Sequence, residues 1–183
     1  MKAIVLGLSL MFVVLSANAQ CPPLKEALEK PKEVKVLDLT GCGLRVFPKD
    51  ILKLKNLKAL HMGPSRLIMY RKDAGSPIKG NLFKLLPENF GKLSQLEVLN
   101  LQATDLRNLP SSLEKLENLQ QLDLSFNPRL DSVVLFDLLP KLPRLSMLNL
   151  TGCGLTPVSC RRLAAILPET ECIFDRAVMI ARD

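Results

Sequence analysis

One spacing of leucines recurs five times along the chain, and it constrains the fold more than any other feature. Each unit reads Leu-x-x-Leu-x-Leu, with occasional apolar replacements. The units begin at Val34, Leu57, Leu96, Leu119 and Leu145. The intervals between these starts are 23, 39, 23 and 26 residues. A proline-containing pair follows in three units, as Phe47-Pro48, Leu86-Pro87 and Leu109-Pro110. Five matches in one register indicate a repeat architecture.

The pattern within each unit predicts how the units assemble. Leucines that alternate with other residues are typical of a strand with one buried face. A single unit cannot bury that face, so neighbouring units must stack and share one core. A small polar residue follows four of the strands and is expected to satisfy backbone groups in the turn. These residues are Cys42, Thr104, Asn127 and Cys153.

The motif resembles the leucine-rich-repeat family, in the 23-residue class that carries Leu-Pro in its second half. The resemblance covers residues 34–174. It implies an α/β solenoid, which is an arc of about five repeats plus end caps. The concave side of such an arc carries a short parallel sheet.

The first twenty residues have the layout of a bacterial secretory signal peptide. Lys2 precedes an almost unbroken apolar run, and Ala17-Asn18-Ala19 supplies the small residues of a cleavage site. We therefore expect residues 1–19 to be removed and the mature chain to lie outside the cytoplasm, secreted or in the cell envelope. An uncleaved anchor and a lipid on Cys21 are the alternatives. No other stretch is long and apolar enough to span a membrane.

The two ends of the predicted solenoid need caps. Residues 20–33 form the first cap, with a short amphipathic helix that buries Leu24, Ala27 and Leu28. At the other end, Thr156 is expected to cap a helix that begins at Pro157. The predicted buried stripe of that helix is Val158, Leu163, Ile166 and Leu167. A last strand over residues 172–174 and a capping tail over residues 175–183 complete the domain.

Five cysteines in an exported chain raise the question of disulfide bonds. A Cys21–Cys42 bond would tie down the first helix, and a Cys160–Cys172 bond would close the C-terminal cap. We favour free cysteines, because a buried thiol is a common small core group. Since no Cys-x-x-Cys pair and no Cys/His cluster occurs, neither a metal nor another cofactor is expected.

The fifth position of each repeat forms a polar column that is expected to face solvent on the concave sheet. Its ligand-binding candidates are Asp38, His61, Asn100, Asp123 and Asn149. Adjacent strands lie about 4.8 Å apart, so Asp38 and His61 should be side by side. A hydrolase would also need an activated nucleophile and an oxyanion hole. Thr40 is the nearest hydroxyl, and nothing in the spacing directs it at His61. We therefore predict binding and no catalytic residue.

The second repeat carries 16 extra residues, which fall just after its strand, between Gly63 and Leu82. Further binding candidates in this basic segment are Arg66, Tyr70, Arg71, Lys72 and Lys79. Long loops in compact repeats are either functional or disordered. The only tyrosine of the chain, among clustered positive charges at the rim of the concave face, favours function, and a tolerated surface insertion is the alternative. Phe126 lies near the same rim, where we favour a buried aromatic in the turn.

Charge is unevenly distributed and bears on the partner. Residues 21–92 contain 15 Lys+Arg against 7 Asp+Glu, whereas residues 93–183 contain 9 against 11. A positive field attracts anionic partners, although a merely solvated surface is an alternative. With no tryptophan and one tyrosine, the chain lacks stacking platforms for nucleic acid. The sequence predicts a non-enzymatic recognition module for a protein or an anionic glycan of the envelope. A structural envelope spacer and a hydrolase using Asp38 and His61 are the alternatives.

Overall fold

A computed structural model describes residues 21–63 and 80–175 of the chain. The predicted signal peptide therefore lies outside the described residues, as do residues 176–183 of the capping tail and the five binding candidates of the insertion. Within the described ranges, no helix combines the length and apolar character that crossing a bilayer requires.

Six strands form one parallel sheet in chain order. They are β1 Val36–Asp38, β2 Ala59–His61, β3 Val98–Asn100, β4 Gln121–Asp123, β5 Met147–Asn149 and β6 Glu171–Ile173. The central leucine of each repeat is paired with the central leucine of the next, as in Leu99 with Leu122. This register confirms the predicted solenoid with five repeat strands. The closing strand begins at Glu171, one residue earlier than predicted.

The core is a continuous column of repeat leucines. Leu60, Leu99 and Leu122 are at most 1% exposed, because the strands direct them to the inner face of the sheet. On the convex side, between one strand and the next, the described residues form four short 3₁₀ segments. These are Lys49–Lys53, Phe90–Lys92, Ser111–Lys115 and Leu139–Lys141. Between the two layers, the ring of Phe47 packs edge-on against Phe83 and Phe90, with centroids 5.8 and 5.6 Å away. The core thus packs against the inner face of the sheet, and the other face of the sheet is exposed to solvent.

The described ranges also contain three α-helices: α1 Pro22–Glu29, α2 Ser132–Leu138 and α3 Pro157–Ile166. The first covers the N-terminal end of the column and buries Leu24 and Ala27 as predicted, whereas the third predicted residue, Leu28, is only partly buried. For α3 the N-cap prediction is confirmed, since the Thr156 side chain accepts a hydrogen bond from the backbone N–H of Ser159 at 3.2 Å.

The predicted buried stripe of α3 is wrong in two of its four members. Val158 is 52% exposed and Ile166 is 42% exposed. Residues along an α-helix are separated by about 100°. Cys160, Leu163 and Leu167 therefore share the inner face, while Val158 lies on the far side from Cys160 and Ile166 at the edge of that face.

Cys21 and Cys42 form a disulfide bond, with their Cα atoms 5.3 Å apart. This corrects our preference for free cysteines at these two positions. Cys153, Cys160 and Cys172 are free, so the alternative Cys160–Cys172 bond is absent. Burial raises the pKa of the Cys153 thiol from 9.0 to about 11, and its Sγ donates to the Leu124 carbonyl. The described disulfide fastens α1 to the turn after β1.

Cys42 does not satisfy the turn after β1; Asn81 of the second repeat does so instead. The Asn81 side-chain oxygen accepts from the Leu44 N–H at 2.9 Å. Its amide donates to the carbonyls of Leu39 and Met62, at 2.9 and 2.6 Å. Asn81 was not predicted from the sequence, because the insertion separates it from its strand. Because Asn81 makes the hydrogen bonds of this turn, the Cys42 side chain is available for the disulfide.

Candidate functional site

The solvent-facing side of the sheet carries the polar column where the sequence predicted it. Strand register places Asp38 opposite His61, His61 opposite Asn100, and Asn100 opposite Asp123. Asn149 follows Asp123 in the same way. The structure therefore brings together all five predicted residues of the column.

Four members of the polar column also have a structural role. Each accepts a hydrogen bond on its side-chain oxygen from the backbone N–H two residues later, which is an Asx-turn. The pairs are Asp38 with Thr40 at 2.8 Å, Asn100 with Gln102 at 2.9 Å, Asp123 with Ser125 at 2.9 Å and Asn149 with Thr151 at 3.1 Å. These bonds fix the turn that ends each strand. The recurrence of Asp and Asn in this column thus has a cause that requires no ligand.

Asn149 is the member that departs from the prediction of a solvent-facing column. It is only 6% exposed. Its amide donates to the second carboxylate oxygen of Asp123 at 3.2 Å, so both ends of the side chain are engaged within the protein. Its other neighbour in the register is the apolar Ile173. Asn149 consequently holds the Asp123 carboxylate in place and is not itself available to a ligand.

His61 differs from the rest of the column because it lacks the side-chain oxygen of an Asx-turn. The residue two positions later is Gly63, which packs tightly against the third repeat. A Cβ atom at Gly63 would collide with the Gln102 carbonyl and would lie 2.7 Å from the Asn100 side-chain oxygen. Residue 63 must therefore be glycine. The insertion starts immediately after it, and the half-exposed His61 imidazole faces the concave side.

A second column, two residues earlier in each strand, points to the same face. We call it the apolar column; it comprises Val36, Ala59, Val98 and Met147, with Gln121 at its fourth position. Val36 is 62% exposed and Met147 is 37% exposed. This column was not predicted from the sequence. The sequence does contain a sign of it: four repeats have an apolar residue at the third position, although strand alternation places that side chain on the solvent-facing side.

The two columns enclose a depression of about 300 Å³ on the concave face. Its polar lining includes His61, Asn100 and Asp123, and its apolar lining includes Val98 and Met147. Small-molecule sites in proteins occupy about 300–1,000 Å³, so this cleft is at the small end. It suits one or two side chains of a partner that combine apolar surface with hydrogen-bonding groups. In the described ranges, no three His, Cys, Asp or Glu side chains converge as metal ligands would.

Phe126 stands at the rim of this face, and its placement corrects the expectation of a buried ring. It is 44% exposed and has a backbone φ of 58°. The equivalent turn positions in two other repeats are Gly41 and Gly152, with φ of 76° and 71°. The turn thus requires a left-handed residue, which costs a non-glycine residue about 1–2 kcal/mol. Because the ring is exposed and aromatic residues are enriched at interfaces, Phe126 becomes a binding candidate.

Sequence relatives cover part of the chain. Over 145 residues, or 72% of the chain, it is 29% identical to the disease resistance-like protein DSC1 of Arabidopsis thaliana. Over 65 residues, or 36% of the chain, it is 38% identical to a probable disease resistance protein of the same plant. The matched regions are only 11% and 7% of those two proteins. The chain matches no protein-family model.

Solved structures with similar regions include a leucine-rich-repeat protein of Leptospira interrogans. That protein is 29% identical with a TM-score of 0.41, over 69% of this chain and 33% of the other. The leucine-rich-repeat ectodomain of the receptor kinase SOBIR1 from Arabidopsis thaliana is 23% identical with a TM-score of 0.40, over 60% and 51%. Superpositions at these scores do not decide the fold. The repeat register and the parallel sheet in chain order do so, and they give this chain the leucine-rich-repeat fold that its motif predicted.

Proposed function

We propose that this chain is an exported recognition module that binds a partner protein through its concave face. The apolar column is the observation that carries the proposal. Val36, Ala59 and Val98 lie in register on three neighbouring strands, and Met147 follows beyond Gln121. Val98 and Met147 line the cleft. Single exposed apolar residues are ordinary on protein surfaces, whereas a contiguous row next to a cleft is a feature of interaction sites.

The fold does not need this row, because the inward leucines already form a continuous core. The half-exposed His61 and the rim residue Phe126 add the aromatic and amphipathic contacts that are enriched at interfaces. An anionic glycan is the second candidate ligand, and the positive charge of residues 21–92 favours it. The apolar column favours a protein over a glycan. The basic insertion would extend either contact at the rim.

The hydrolase alternative is weakened by the groups around His61. The Thr40 hydroxyl, which was the candidate nucleophile, donates to the Gly63 carbonyl at 2.9 Å. The backbone N–H of Thr40 is bound to the Asp38 carboxylate. A nucleophile must instead be within hydrogen-bond reach of its base. The structural-spacer alternative gives no reason for an apolar row beside a cleft.

The test uses a charge placed in the apolar column. Wild-type chain without residues 1–19 is immobilised and used to capture a partner from envelope extract of the producing cells. We expect Met147→Glu to abolish this capture, because a carboxylate would have to be desolvated in the cleft. Val133→Glu is the matched control, since Val133 is 72% exposed on α2 and away from the cleft. If both variants capture the partner as wild type does, the concave face is not the binding surface.

Export and domain limits form part of the proposal. We propose a signal peptide over residues 1–19, an N-terminal cap over 20–33, repeats over 34–174 and a capping tail over 175–183. N-terminal sequencing of protein recovered from the producing cells should begin at Gln20. Protein that retains Met1 and stays in the cytosol would contradict the proposed location.

A further inference from the structure

A second exposed surface lies outside the concave face, on the segments that follow the strand turns. Backbone hydrogen bonds link these segments from repeat to repeat. Leu82 N–H donates to the Leu44 carbonyl at 2.7 Å, and Arg107 N–H donates to the Lys84 carbonyl at 2.9 Å. Leu85 forms a parallel bridge with Asn108. The segments are therefore held in extended form beside the main sheet, which fixes the side chains they carry.

These segments expose apolar side chains around a hollow. Val46 is 70% exposed, Leu85 is 62% exposed and Leu82 is 43% exposed. The hollow has a volume of about 310 Å³ and is also lined by the almost fully buried rings of Phe47 and Phe83. We call this hollow and its lining the flank pocket. It is large enough for one aromatic or branched side chain.

The charges at the flank pocket have one sign. Arg45 and Lys84 line it, and Arg107 lies on the adjoining segment. All three are exposed. Among the residues that the structure describes, none of the three forms a salt bridge, whereas Lys58, Arg129 and Lys141 do. An apolar hollow bordered by unneutralised cations is complementary to an acidic segment with one large apolar side chain.

We propose that the flank pocket docks an acidic segment of a partner protein, which inserts one large apolar side chain over Phe47 and Phe83 and sets carboxylates against Arg45 and Lys84. This surface is separate from the concave face. The proposal for the flank pocket therefore does not depend on the function proposed for the concave face. A chain with both surfaces can hold two protein segments at once.

Three other occupants fit the flank pocket less well. The chain's own insertion returns at Gly80, close to Leu82, but residues 64–79 carry four basic residues and one acidic residue. It therefore has the same charge sign as the pocket border. Lipid-binding surfaces use clusters of about 4–8 Lys and Arg residues, more than lie here. A second copy would bring the same basic surface to a two-fold contact and would repel itself.

The experiment measures binding of labelled peptides to the whole chain without residues 1–19. The probes are fluorescein-labelled peptides of sequence Glu-Glu-X-Glu-Glu, in which X is Leu, Phe or Trp. We expect saturable anisotropy changes below about 1 mM for at least one of them. The double variant Val46→Ser/Leu85→Ser should weaken binding at least tenfold. Val133→Ser is the control for loss of an exposed valine elsewhere, and it should leave binding unchanged.

A second pair of measurements tests the charge. Arg45→Gln/Lys84→Gln should weaken binding and flatten its dependence on salt, while peptides with Lys in place of Glu should not bind. Circular dichroism melting curves check that each variant is folded. The altered side chains are exposed, so unfolding of the variants is not expected.

Several results would overturn the proposal. One is no saturable binding of any acidic peptide, and another is equal binding by Val46→Ser/Leu85→Ser. Retention on phosphatidylglycerol vesicles that the same double variant abolishes would assign the pocket to a membrane. Peptide binding that appears only after excision of residues 64–79 would assign it to the insertion. Dimerisation in the ultracentrifuge that the double variant abolishes would assign it to a second copy.

Discussion

The side-chain oxygen of Asn127 accepts a hydrogen bond from the backbone N–H of Leu106 at 2.9 Å, across 21 residues of chain. The amide nitrogen of Asn127 donates to the carbonyls of Leu101 and Leu124, at 2.9 and 2.8 Å. One fully buried side chain thus joins two successive repeats. Asn81 joins the first and second repeats in the same way, two repeats earlier. Stacking of the repeats therefore depends on polar bonds at the turns as well as on leucines.

Replacing Asn127 with alanine should destabilise the whole arc. The change leaves buried N–H and carbonyl groups of two repeats without partners, and each such group costs about 1–3 kcal/mol. We expect a loss of about 3 kcal/mol in the free energy of unfolding, measured by urea denaturation followed by circular dichroism. Asn108→Ala is the control, because Asn108 is exposed and caps only its neighbour Leu109. Equal losses in the two variants would show that the buried asparagine does not join the repeats.

The Cys21–Cys42 disulfide should stabilise the N-terminal end of the arc. It closes a sequence separation of 21 residues, and a loop of that size corresponds to about 3 kcal/mol through its effect on the unfolded chain. Adding dithiothreitol should lower the urea midpoint of the wild type. The double variant Cys21→Ser/Cys42→Ser should match the reduced protein and should not respond to the reductant.

Thiol titration gives an independent check of the same bond. In urea without reductant, the wild type should expose the three free thiols of Cys153, Cys160 and Cys172. A count of five would show that the disulfide is not formed, and a count of one would show that a second bond has formed.

The repeat could be predicted because its signal is redundant. Leu99 and Leu122 occupy the same register position, and any one unit can be checked against the other four. Asn81 could not be placed with equal ease, since the insertion moves it from three to 19 positions beyond Met62. The pairing of Cys21 with Cys42 was left open because spacing alone does not say which turn α1 covers.

The binding surface was predictable only in part. The polar column could be predicted from the alternation of inward and outward side chains along each strand. Its Asx-turn role could not, because it depends on the direction of the backbone at the end of the strand. Phe126 was expected to be buried because aromatic rings usually are. The ring is instead 44% exposed, on a turn residue with a left-handed backbone. Composition and spacing do not give the direction of a side chain on such a turn. The apolar column was visible in the sequence and was overlooked.

Phe126→Gly should separate stability from binding. Glycine adopts the φ of 58° without the strain of a side chain, but it adds about 0.5–1 kcal/mol of unfolded-chain entropy. These effects oppose each other, so the free energy of unfolding should change by less than about 1 kcal/mol. Binding to the partner captured by the concave face should weaken, as measured by surface plasmon resonance. Ala103→Gly, at the equivalent left-handed turn with φ of 52°, is the control that should not affect binding. A large loss of stability in Phe126→Gly would mean that the ring is a packing residue.

Excision of residues 64–79 should leave the fold intact. The deletion joins Gly63 to Gly80 and places Asn81 three positions after Met62, as Cys42 is after Leu39. The second unit then regains the 23-residue spacing of the first. The two ends are already close, because the Asn81 amide donates to the Met62 carbonyl at 2.6 Å. The melting curve of the excised chain should therefore match that of the wild type.

The same excision should change how the captured partner binds. The segment begins three positions after the cleft residue His61 and carries Arg66, Arg71, Lys72 and Lys79 as well as Tyr70. Charges at the edge of a binding face act chiefly on the association rate and its dependence on salt. Surface plasmon resonance at several NaCl concentrations should show slower association and a flatter salt dependence. A variant with glutamine at the four basic positions separates the effect of charge from that of loop length, because it retains Tyr70 and the full length of the segment. It should reproduce the flatter salt dependence. If the excised chain binds as fast as wild type at every salt concentration, the concave columns recognise the partner without the insertion.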